Sequence, residues 1–381
     1  MWTKADPILD GLLSLVSLLA LLRKSSHFIT EYGENMNGSN LSQIRVLVTG
    51  AGGPAAIAVI RSLGILRKFS LVAGDMDPWA AGLYMVLPEN RVLLLPADHP
   101  NFIENLLATC KTKEISILIS TVDGELEPVA LNIAGFDAVG TKVMGAPLHI
   151  LLETLDKFAL ARKCLLVVGI PRTELLDSAD FSNWTFPVVI KPRWGSGSKG
   201  VRLVNQPDDI THLDLENEML IQEYLPGDEY SIDVLATCVG VPVAAVPRLR
   251  VKVDSGIAVA GRSLCDTELE EFGMQVVATL GLPFISNVQA KRRATGELCL
   301  LEVNPRVPGS IALTKASGVD MVRLAVDELL GIAIPVGITH REVAMVRPLA
   351  DLVIECADLV EGALPSDWNQ HPPVKPLALG A

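Results

Sequence analysis

The spacing of apolar and polar positions divides the chain into two parts with different predicted architectures. In the first part, apolar runs at residues 44–49, 71–75 and 115–120 predict buried strands, and a glycine turn at 50–53 opens a predicted helix. Strands that alternate with helices typically form a parallel sheet covered by those helices. Residues 44–150 are therefore predicted to form a Rossmann-like domain.

The second part is richer in short strands. Residues 186–191, 201–204, 286–291 and 300–304 are apolar or alternate between apolar and polar positions, and short glycine-containing segments separate two pairs of them. Such pairs predict antiparallel hairpins. The fold class is therefore predicted to be α/β, with the Rossmann-like domain followed by an α+β domain over residues 151–347.

One predicted hairpin carries polar side chains on a single face. Glu302, Asn304 and Arg306 alternate at the end of its second strand, and Asn287 and Gln289 alternate along its first. A period of two places all five side chains on one surface. Carboxylate and amide oxygens suit a hard cation, and a guanidinium group binds phosphate oxygens. The pattern predicts a metal–phosphate site.

A glycine-rich loop that follows a lysine precedes this hairpin. Lys191 lies in an apolar strand, and Gly195, Gly197 and Gly200 satisfy the pattern G-x-G-x-x-G. A dinucleotide-binding loop opens into a helix and a Walker A loop ends in Gly-Lys-Ser/Thr, whereas a strand is predicted at residues 201–204 here. We therefore expect a hairpin whose backbone N–H groups and lysine charge face phosphates.

These motifs, in this order along the chain, resemble those of the ATP-grasp superfamily. The resemblance is specifically to the carboxyphosphate-forming half of the carbamoyl phosphate synthase large subunit. The resemblance covers roughly residues 44–347 and is carried by Asp156-Lys157, residues 187–191 with their loop, residues 221–233, Asn287-Val-Gln289 and residues 302–306. It implies an ATP-grasp domain over residues 151–347, with a lid at about 156–220 and a C-terminal catalytic sheet. One departure is that Lys157 and Lys191 stand where the synthase has arginines.

The resemblance implies a nucleotide site. Lys157 and Lys191 would contact the ATP phosphates, and Glu223 with its neighbours would line the adenine pocket while Glu229 binds the ribose. The complete set implied to bind ATP is Lys157, Lys191, Trp194, Gly195, Ser196, Gly197, Gly200, Glu223, Tyr224, Leu225 and Glu229.

The resemblance also implies a metal site and a reaction. Gln289, Glu302 and Asn304 would hold one or two Mg²⁺ (or Mn²⁺) ions, and Arg306 would act with Lys191 on the transferring phosphoryl group. The implied activity is that of an ATP-dependent carboxylate–amine or carboxylate–thiol ligase with an acyl-phosphate intermediate. A non-catalytic nucleotide-binding regulator remains an alternative at this stage.

A second alternative comes from the Rossmann-like domain. Gly50, Gly52 and Ala55 fit G-x-G-x-x-A, and Asp75 and Asp77 follow the next strand at the spacing used for ribose recognition. An NAD(P)-dependent oxidoreductase would explain this unit. It would not explain the metal–phosphate hairpin or the second glycine loop, so the ligase hypothesis is favoured.

Substrate contacts are predicted in two places. Asp123 and Glu125 follow a strand of the predicted parallel sheet, where such sheets bind ligands, although they would also suit the start of a helix. Arg248 and Arg250 alternate with Lys252 further on, and Arg262 follows. In a chain of net charge −12, this local positive charge suggests an anionic substrate, with a charged edge strand as the alternative.

Composition limits the range of partners. The excess of acidic residues leaves no extended basic face that could bind nucleic acid. The expected partners are small-molecule carboxylate and amine substrates. The six cysteines have no paired spacing, which indicates a reduced, cytoplasmic protein without zinc. A homodimer is left open by the sequence.

The two ends differ from the central part. Residues 8–22 form an apolar run of 15 residues, short of the ~20 that span a bilayer. Residues 1–43 are therefore predicted to form an apolar helix and a linker, with peripheral membrane contact through residues 8–22 as one hypothesis. Residues 348–381 are predicted to be a partly disordered C-terminal segment.

Overall fold

A computed structural model describes most of the chain between residues 43 and 360. The described residues are 43–195, 197, 199–212, 218–254, 257–348, 350–355 and 358–360. The predicted apolar helix at 8–22, the linker after it, Ser196 and residues 361–381 lie outside them. Among the helices that the structure describes, none combines the length and apolar character needed to cross a membrane.

The first sheet confirms the predicted parallel arrangement. Its strand order is β3-β2-β1-β4-β5, with every neighbouring pair parallel. Val46 and Val48 pack into one buried cluster and Leu47 into another, because successive side chains of a strand point to opposite faces of the sheet. The strands are β1 (Ile44–Thr49), β2 (Phe69–Asp75), β3 (Arg91–Leu93), β4 (Ile117–Ile119) and β5 (Lys142–Val143).

Four helices accompany this sheet. Helix α1 begins at Pro54, whose fixed φ and missing N–H suit the first helical position. Gly50 adopts a φ of +65° in the turn before it, a conformation that favours glycine. The helices are α1 (Pro54–Gly64), α2 (Phe102–Thr112), α3 (Asp123–Leu131) and α4 (Ile133–Ala138).

The second sheet is small, antiparallel and has its own core. Its strand order is β6-β9-β7-β8, and Val188, Ile190 and Ile221 pack there against Trp184. Two short helices precede it, α5 (Leu148–Leu155) and α6 (Lys157–Cys164). The strands are β6 (Thr173–Leu175), β7 (Val188–Pro192), β8 (Arg202–Val204) and β9 (Met219–Glu223).

The third sheet is antiparallel, with the strand order β14-β13-β10-β11-β12-β15. The predicted hairpin is present, because β13 pairs with β14. Helix α7 (Thr267–Leu280) packs on this sheet, and α8 (Ile311–Ala316) and α9 (Met321–Leu329) follow. The strands are β10 (Glu229–Ala236), β11 (Pro242–Asp254), β12 (Ile257–Ser263), β13 (Phe284–Arg292), β14 (Leu298–Asn304) and β15 (Ala344–Val346).

Short 3₁₀ turns complete the described secondary structure. They are Ala81–Met85, Pro88–Asn90, Leu176–Ser178, Phe181–Asn183 and Pro207–His212.

The first and third sheets share one hydrophobic core. Val46 and Ile117 of the first sheet belong to the same buried cluster as Leu235 and Val246 of the third, together with Met321 of α9. The apolar contact holds the two sheets in a fixed relation. The α/β class is confirmed, whereas the predicted domain limits at residues 150 and 347 stay predictions.

Polar contacts hold α9 beside the first sheet. Lys68 Nζ lies 2.7 Å from Asp327 Oδ1, and the Ser62 hydroxyl donates to Asp320 Oδ1 at 2.6 Å. Both carboxylates belong to or adjoin α9. Helix α9 is therefore joined to α1 and to the segment before β2 by polar as well as apolar contacts.

Candidate functional site

Two cavities meet along the polar face of the third sheet. The narrow cavity, of about 210 Å³, is bordered by the second sheet, and the wide cavity, of about 650 Å³, is bordered by the first. Arg250, Gln289 and Glu302 line both cavities. These three side chains therefore mark the junction of one cleft with two ends.

Most residues predicted to bind nucleotide line the narrow cavity. They are Lys157, Lys191, Trp194, Gly195, Glu223, Tyr224, Leu225 and Glu229. Gly197 lines the wide cavity instead, and Gly200 lines neither cavity. The predicted phosphate and adenine ends are thus adjacent, although they are separated by up to 68 residues in the chain (157 to 225).

The two lysines form the positive part of the narrow cavity. Lys191 is only 6% exposed, and its Nζ donates to the Leu301 carbonyl oxygen at 3.4 Å. Burial lowers the pKa of Lys191 to about 8, against the opposing attraction of Glu302. Burial also lowers the pKa of Lys157, again opposed by Glu302. Both ammonium groups lack full solvation and are therefore suited to an anionic ligand.

The glycine loop connects the two ends of the cleft. Gly195, Gly197 and Gly200 have φ values of +116°, +69° and +74°, so all three positions favour glycine. Lys157 Nζ donates to the Gly195 carbonyl oxygen at 2.6 Å. The first turn of α6 and the loop therefore meet through one of the predicted phosphate ligands.

Asp156 and Arg193 fix this corner of the site. Asp156 caps α6 by accepting hydrogen bonds from the backbone N–H groups of Phe158 and Ala159. It also accepts from Arg193 Nε at 2.9 Å and from a second Arg193 nitrogen at 2.5 Å. Burial acts to raise the pKa of Asp156, but the Arg193 and backbone hydrogen bonds lower it overall. The sequence analysis missed this role of Arg193.

The Glu223 carboxylate is engaged by protein groups at the predicted adenine end. It accepts from Arg293 Nε and a second Arg293 nitrogen at 2.9 Å each, and from the Arg172 backbone N–H at 3.0 Å. These contacts lower the pKa of Glu223, with the Arg293 hydrogen bonds contributing most. The Glu223 side chain therefore joins the second sheet to the β13–β14 loop. At the same end, Lys291 Nζ lies over the Tyr224 ring, 5.5 Å from the ring centroid.

Glu229 forms an ion pair at the junction of the two cavities. Its carboxylate accepts a close hydrogen bond from Arg250, and the same Arg250 nitrogen lies 3.5 Å from Gln289 Oε1. Any ligand hydroxyl that binds Glu229 must therefore do so beside a guanidinium group. This contact places Arg250 between the predicted ribose and metal ligands.

The three predicted metal ligands meet through strand pairing. Gln289 lies opposite Glu302, and Asn287 lies opposite Asn304, in the β13–β14 ladder. Asn304 Nδ2 is 3.4 Å from Glu302 Oε1. Among the described residues, no group of three or more His, Cys, Asp and Glu side chains is arranged to hold a metal. A cation here would need ligand oxygens in addition to these side chains, as Mg²⁺ bound to phosphates has.

Arg306 forms a bidentate ion pair with Asp123. Arg306 Nε and a second guanidinium nitrogen each lie 2.6 Å from a different Asp123 oxygen. Both side chains line the wide cavity. Asp123 is also the first residue of α3. It therefore lies both after a parallel strand and at the start of a helix, the two positions that the sequence predicted for it.

Arg248 is held by a buried network that the sequence analysis missed. Asp233 is fully buried and accepts a close hydrogen bond from Arg248, which is 3% exposed. Asp233 also accepts from Asn287 Nδ2 at 2.8 Å and from the Thr314 hydroxyl. A carboxylate inside the apolar strand β10 was the signal that a buried partner exists.

The structure does not bring all predicted cationic residues together. Arg248 and Arg250 line the wide cavity, but Arg262 lies opposite Leu249 in the ladder, so its exposed side chain is on the other face. A bulge between Arg250 and Lys252 also breaks the predicted alternation, and Lys252 is exposed. The predicted row of three positive charges is therefore reduced to two at the cleft.

Glu125 is a buried carboxyl in the wall that the first sheet contributes. It accepts a close hydrogen bond from the Thr49 hydroxyl and is 7% exposed. Burial raises the pKa of Glu125 to about 7, the hydrogen bond from Thr49 opposes the rise, and the charge of Asp75 adds to it. Asp75 itself accepts from the Gly52 backbone N–H at 2.8 Å.

Two family models match the chain, each over part of its length. Residues 46–144 match the PylC-like N-terminal domain, and residues 216–352 match "ATP-grasp in the biosynthetic pathway with Ter operon". The first match covers the unit that suggested NAD(P). The second match, to an ATP-grasp family, favours the ligase hypothesis over the oxidoreductase.

Curated relatives are named carbamoyl phosphate synthase. The large chain from Clostridium beijerinckii is 26% identical over 162 residues, which cover 38% of this chain and 15% of that protein. The N-terminal section from Methanopyrus kandleri is 30% identical over 191 residues, 44% of this chain and 34% of that protein. The chain thus matches well under half the length of these relatives.

A solved structure shows the same fold. The biotin carboxylase domain of Hydrogenobacter thermophilus 2-oxoglutarate carboxylase, in complex with MgADP, ADP and bicarbonate, superimposes with a TM-score of 0.62. Its sequence is 17% identical, and the match covers 76% of this chain and 70% of that one. The chain therefore matches a PylC-like N-terminal domain at residues 46–144 and an ATP-grasp family at residues 216–352, and its described part has the ATP-grasp fold.

Proposed function

We propose that this protein is an ATP-dependent carboxylate ligase that works through an acyl-phosphate. The observation that carries the proposal is the junction of the two cavities at Arg250, Gln289 and Glu302. A nucleotide in the narrow cavity, with its phosphates at Lys157 and Lys191, would direct its terminal phosphate towards the wide cavity. The wide cavity would then hold the carboxylate and its acceptor.

The nucleotide end supplies binding and charge neutralisation. Lys157 and Lys191 would hold phosphate oxygens as point charges, and the glycine loop would cover them with backbone N–H groups. Tyr224 and Leu225 would border the base, while Glu229 would accept from the ribose hydroxyls beside Arg250. The positive charge of Lys157 and Lys191 favours a triphosphate over a neutral ligand in this part of the narrow cavity.

Glu302, Asn304 and Gln289 fit a magnesium ion that is shared with phosphates. Their donor set is one carboxylate and two amides, all oxygen ligands, and all three line the cleft. The bound ion would neutralise developing charge on the phosphoryl oxygens. The side chains themselves would fix the phosphates relative to Arg306.

The chemistry takes two steps. A carboxylate oxygen of the substrate attacks the γ-phosphorus of ATP, and the bond to the bridging oxygen breaks to release ADP. An amine then attacks the carbonyl carbon of the acyl-phosphate, loses a proton, and expels inorganic phosphate. Positioning and charge stabilisation account for most of the acceleration in such phosphoryl transfers.

Residues of the wide cavity favour a substrate larger than bicarbonate. Its volume of about 650 Å³ falls in the range that accommodates organic ligands. Arg250 suits a carboxylate, and the opposite wall carries Asp75, which suits an amine. An organic carboxylate and an amine are therefore the proposed substrates.

Two experiments test this function with the full chain. Calorimetry with Mg-ATP, ATP and NAD should show binding of ATP that is strengthened by Mg²⁺, and no comparable binding of NAD. A screen of carboxylate and amine pairs should then find ADP release that requires both substrates. Tight NAD binding without ATP binding would refute the assignment, and ATP binding without ADP release for any pair would favour a regulator.

A further inference from the structure

The Asp123–Arg306 pair joins the first sheet to the proposed reaction centre. Asp123 is the first residue of α3, and Arg306 follows the last strand of the β13–β14 hairpin, 183 residues away. The side chains are 22% and 18% exposed, so the pair is largely shielded from water. A contact of this geometry and burial restricts Arg306 far more than an exposed ion pair would.

The pair leaves one edge of the guanidinium group towards the cleft. Asp123 takes Nε and one terminal nitrogen at 2.6 Å each. The other terminal nitrogen has the Val307 carbonyl oxygen at 3.3 Å, a long hydrogen bond. Because the fork is planar and rigid, fixing one edge also sets the direction of the other. Arg306 lines the wide cavity next to Asn304, and an anionic oxygen would meet this second edge.

We propose that Asp123 is a positioning residue for Arg306 in the transfer step, rather than a substrate contact. The inference rests on the proposed function, since it assigns Asp123 a role in that reaction. Asp123 holds the guanidinium plane where charge develops on the phosphoryl group or acyl-phosphate. A displacement of 1 Å in such a group can lower the rate about 10²-fold.

A positioning role and a purely structural role of Asp123 predict changes in different quantities, kcat and the thermal midpoint. If the pair only ties α3 to the third sheet, its loss lowers the thermal midpoint and leaves the turnover of folded protein unchanged. If Asp123 orients Arg306, its loss lowers kcat, with a smaller effect on KM for ATP. ATP affinity depends mainly on the lysines of the narrow cavity. Asp123 acts on one of them, Lys157, through its charge, but burial and Glu302 act on Lys157 more strongly.

Three variants of the full chain separate these roles. Asp123→Asn removes the charge and one acceptor oxygen, and Asp123→Glu keeps the ion pair but lengthens the side chain by one methylene. Glu127→Gln, on the exposed side of the same helix, is the matched control. Each is measured for thermal midpoint, ATP affinity by calorimetry, and kcat and KM from substrate-dependent ADP release.

The expected result is a kcat of Asp123→Asn lowered about 10-fold to 100-fold, with KM for ATP changed less than about threefold. Asp123→Glu should keep a normal thermal midpoint with an intermediate kcat, and Glu127→Gln should match the wild type. A wild-type kcat in Asp123→Asn would refute the proposal. If Asp123→Asn does not fold, a wild-type kcat in Asp123→Glu alone refutes it.

The same assay separates this proposal from the function on which it rests. Wild-type protein that releases no ADP with any carboxylate and amine pair would refute the proposed function, and this inference with it. Wild-type and Glu127→Gln protein with normal turnover, together with an unaffected Asp123→Asn, would refute the positioning role alone.

Discussion

Lys157 donates a 2.6 Å hydrogen bond from its Nζ to the carbonyl oxygen of Gly195. The first residue of α6 thus contacts the glycine loop, which is proposed to cover the phosphates. Lys157 therefore has two functions in the proposed site. Its charge would bind a phosphate oxygen, and its hydrogen bond contacts the glycine loop at Gly195. The first glycine of the loop is thus contacted by the same residue that would bind the phosphates.

Replacement of Lys157 by methionine is expected to weaken Mg-ATP binding. The variant loses a charge-assisted contact, worth about 1.5–3 kcal/mol, so the Kd should rise about 10-fold to 100-fold. Calorimetry at fixed Mg²⁺ measures it. Lys163→Met on the same helix is the control, because its ion pair with Glu153 is exposed and contributes little. Equal affinities in the two variants would contradict the role of Lys157.

Replacement of Glu302 by glutamine is expected to remove the metal-dependent part of the activity while preserving the fold. The change removes the only carboxylate among the three proposed metal ligands, so the Mg²⁺ concentration for half-maximal ADP release should rise by at least about tenfold. The thermal midpoint should stay within a few degrees of the wild type. Glu271→Gln on α7 serves as the control, and normal Mg²⁺ dependence in Glu302→Gln would show that Glu302 has a structural role.

The Asp233–Arg248 pair is expected to be strongly coupled in stability. Asp233→Asn or Arg248→Met alone leaves a buried charge without its partner and should lower the free energy of unfolding by about 3–5 kcal/mol. The double variant should be less destabilised than the sum of the two single variants, because neither charge then remains buried. Urea unfolding of all four proteins measures the coupling energy. Additive effects would mean that the pair contributes little.

Glu125 is expected to make stability fall as pH rises towards neutrality. Its pKa is about 7 in the folded protein and about 4.5 when unperturbed, so the folded state retains a proton that the unfolded state has lost. Its stabilising contribution is complete below pH 4.5 and disappears as pH rises to 7. Glu125→Gln should therefore reduce the stability difference between pH 5 and pH 8 by roughly 2–3 kcal/mol.

The control for this pH experiment is Glu127→Gln, which alters an exposed carboxylate on the same helix. Urea unfolding at both pH values gives the free energies for the three proteins. Parallel pH dependence in wild type and Glu125→Gln would show that Glu125 is ionised in the folded state at pH 5.

The sequence predicted the features that depend on local periodicity. The β13–β14 hairpin and the juxtaposition of Gln289 with Glu302 follow from a period of two and a short loop between the strands. Lys191 was recognised because a charged side chain inside an apolar strand is rarely buried without a binding partner. Each of these signals lies within a single strand or a single hairpin.

The contacts that the sequence did not predict are long-range or depend on register. Asp123 and Arg306 were both named as site residues, but a separation of 183 residues gave no sign that they pair. Arg262 was grouped with Arg248 by charge, yet strand pairing places it opposite Leu249 and on the other face. A single bulge displaced Lys252 in the same way, and bulges have no reliable sequence signal.

The core that the first and third sheets share leaves the second sheet able to open on its own. Because the first and third sheets pack into one cluster, while Val188 and Ile190 of the second sheet pack with Trp184 in another, the second sheet is expected to exchange its amide protons as a separate cooperative unit. This unit carries Lys191 and borders the narrow cavity. A ligand there, held by both units, would slow amide exchange in the second sheet more than in the other two.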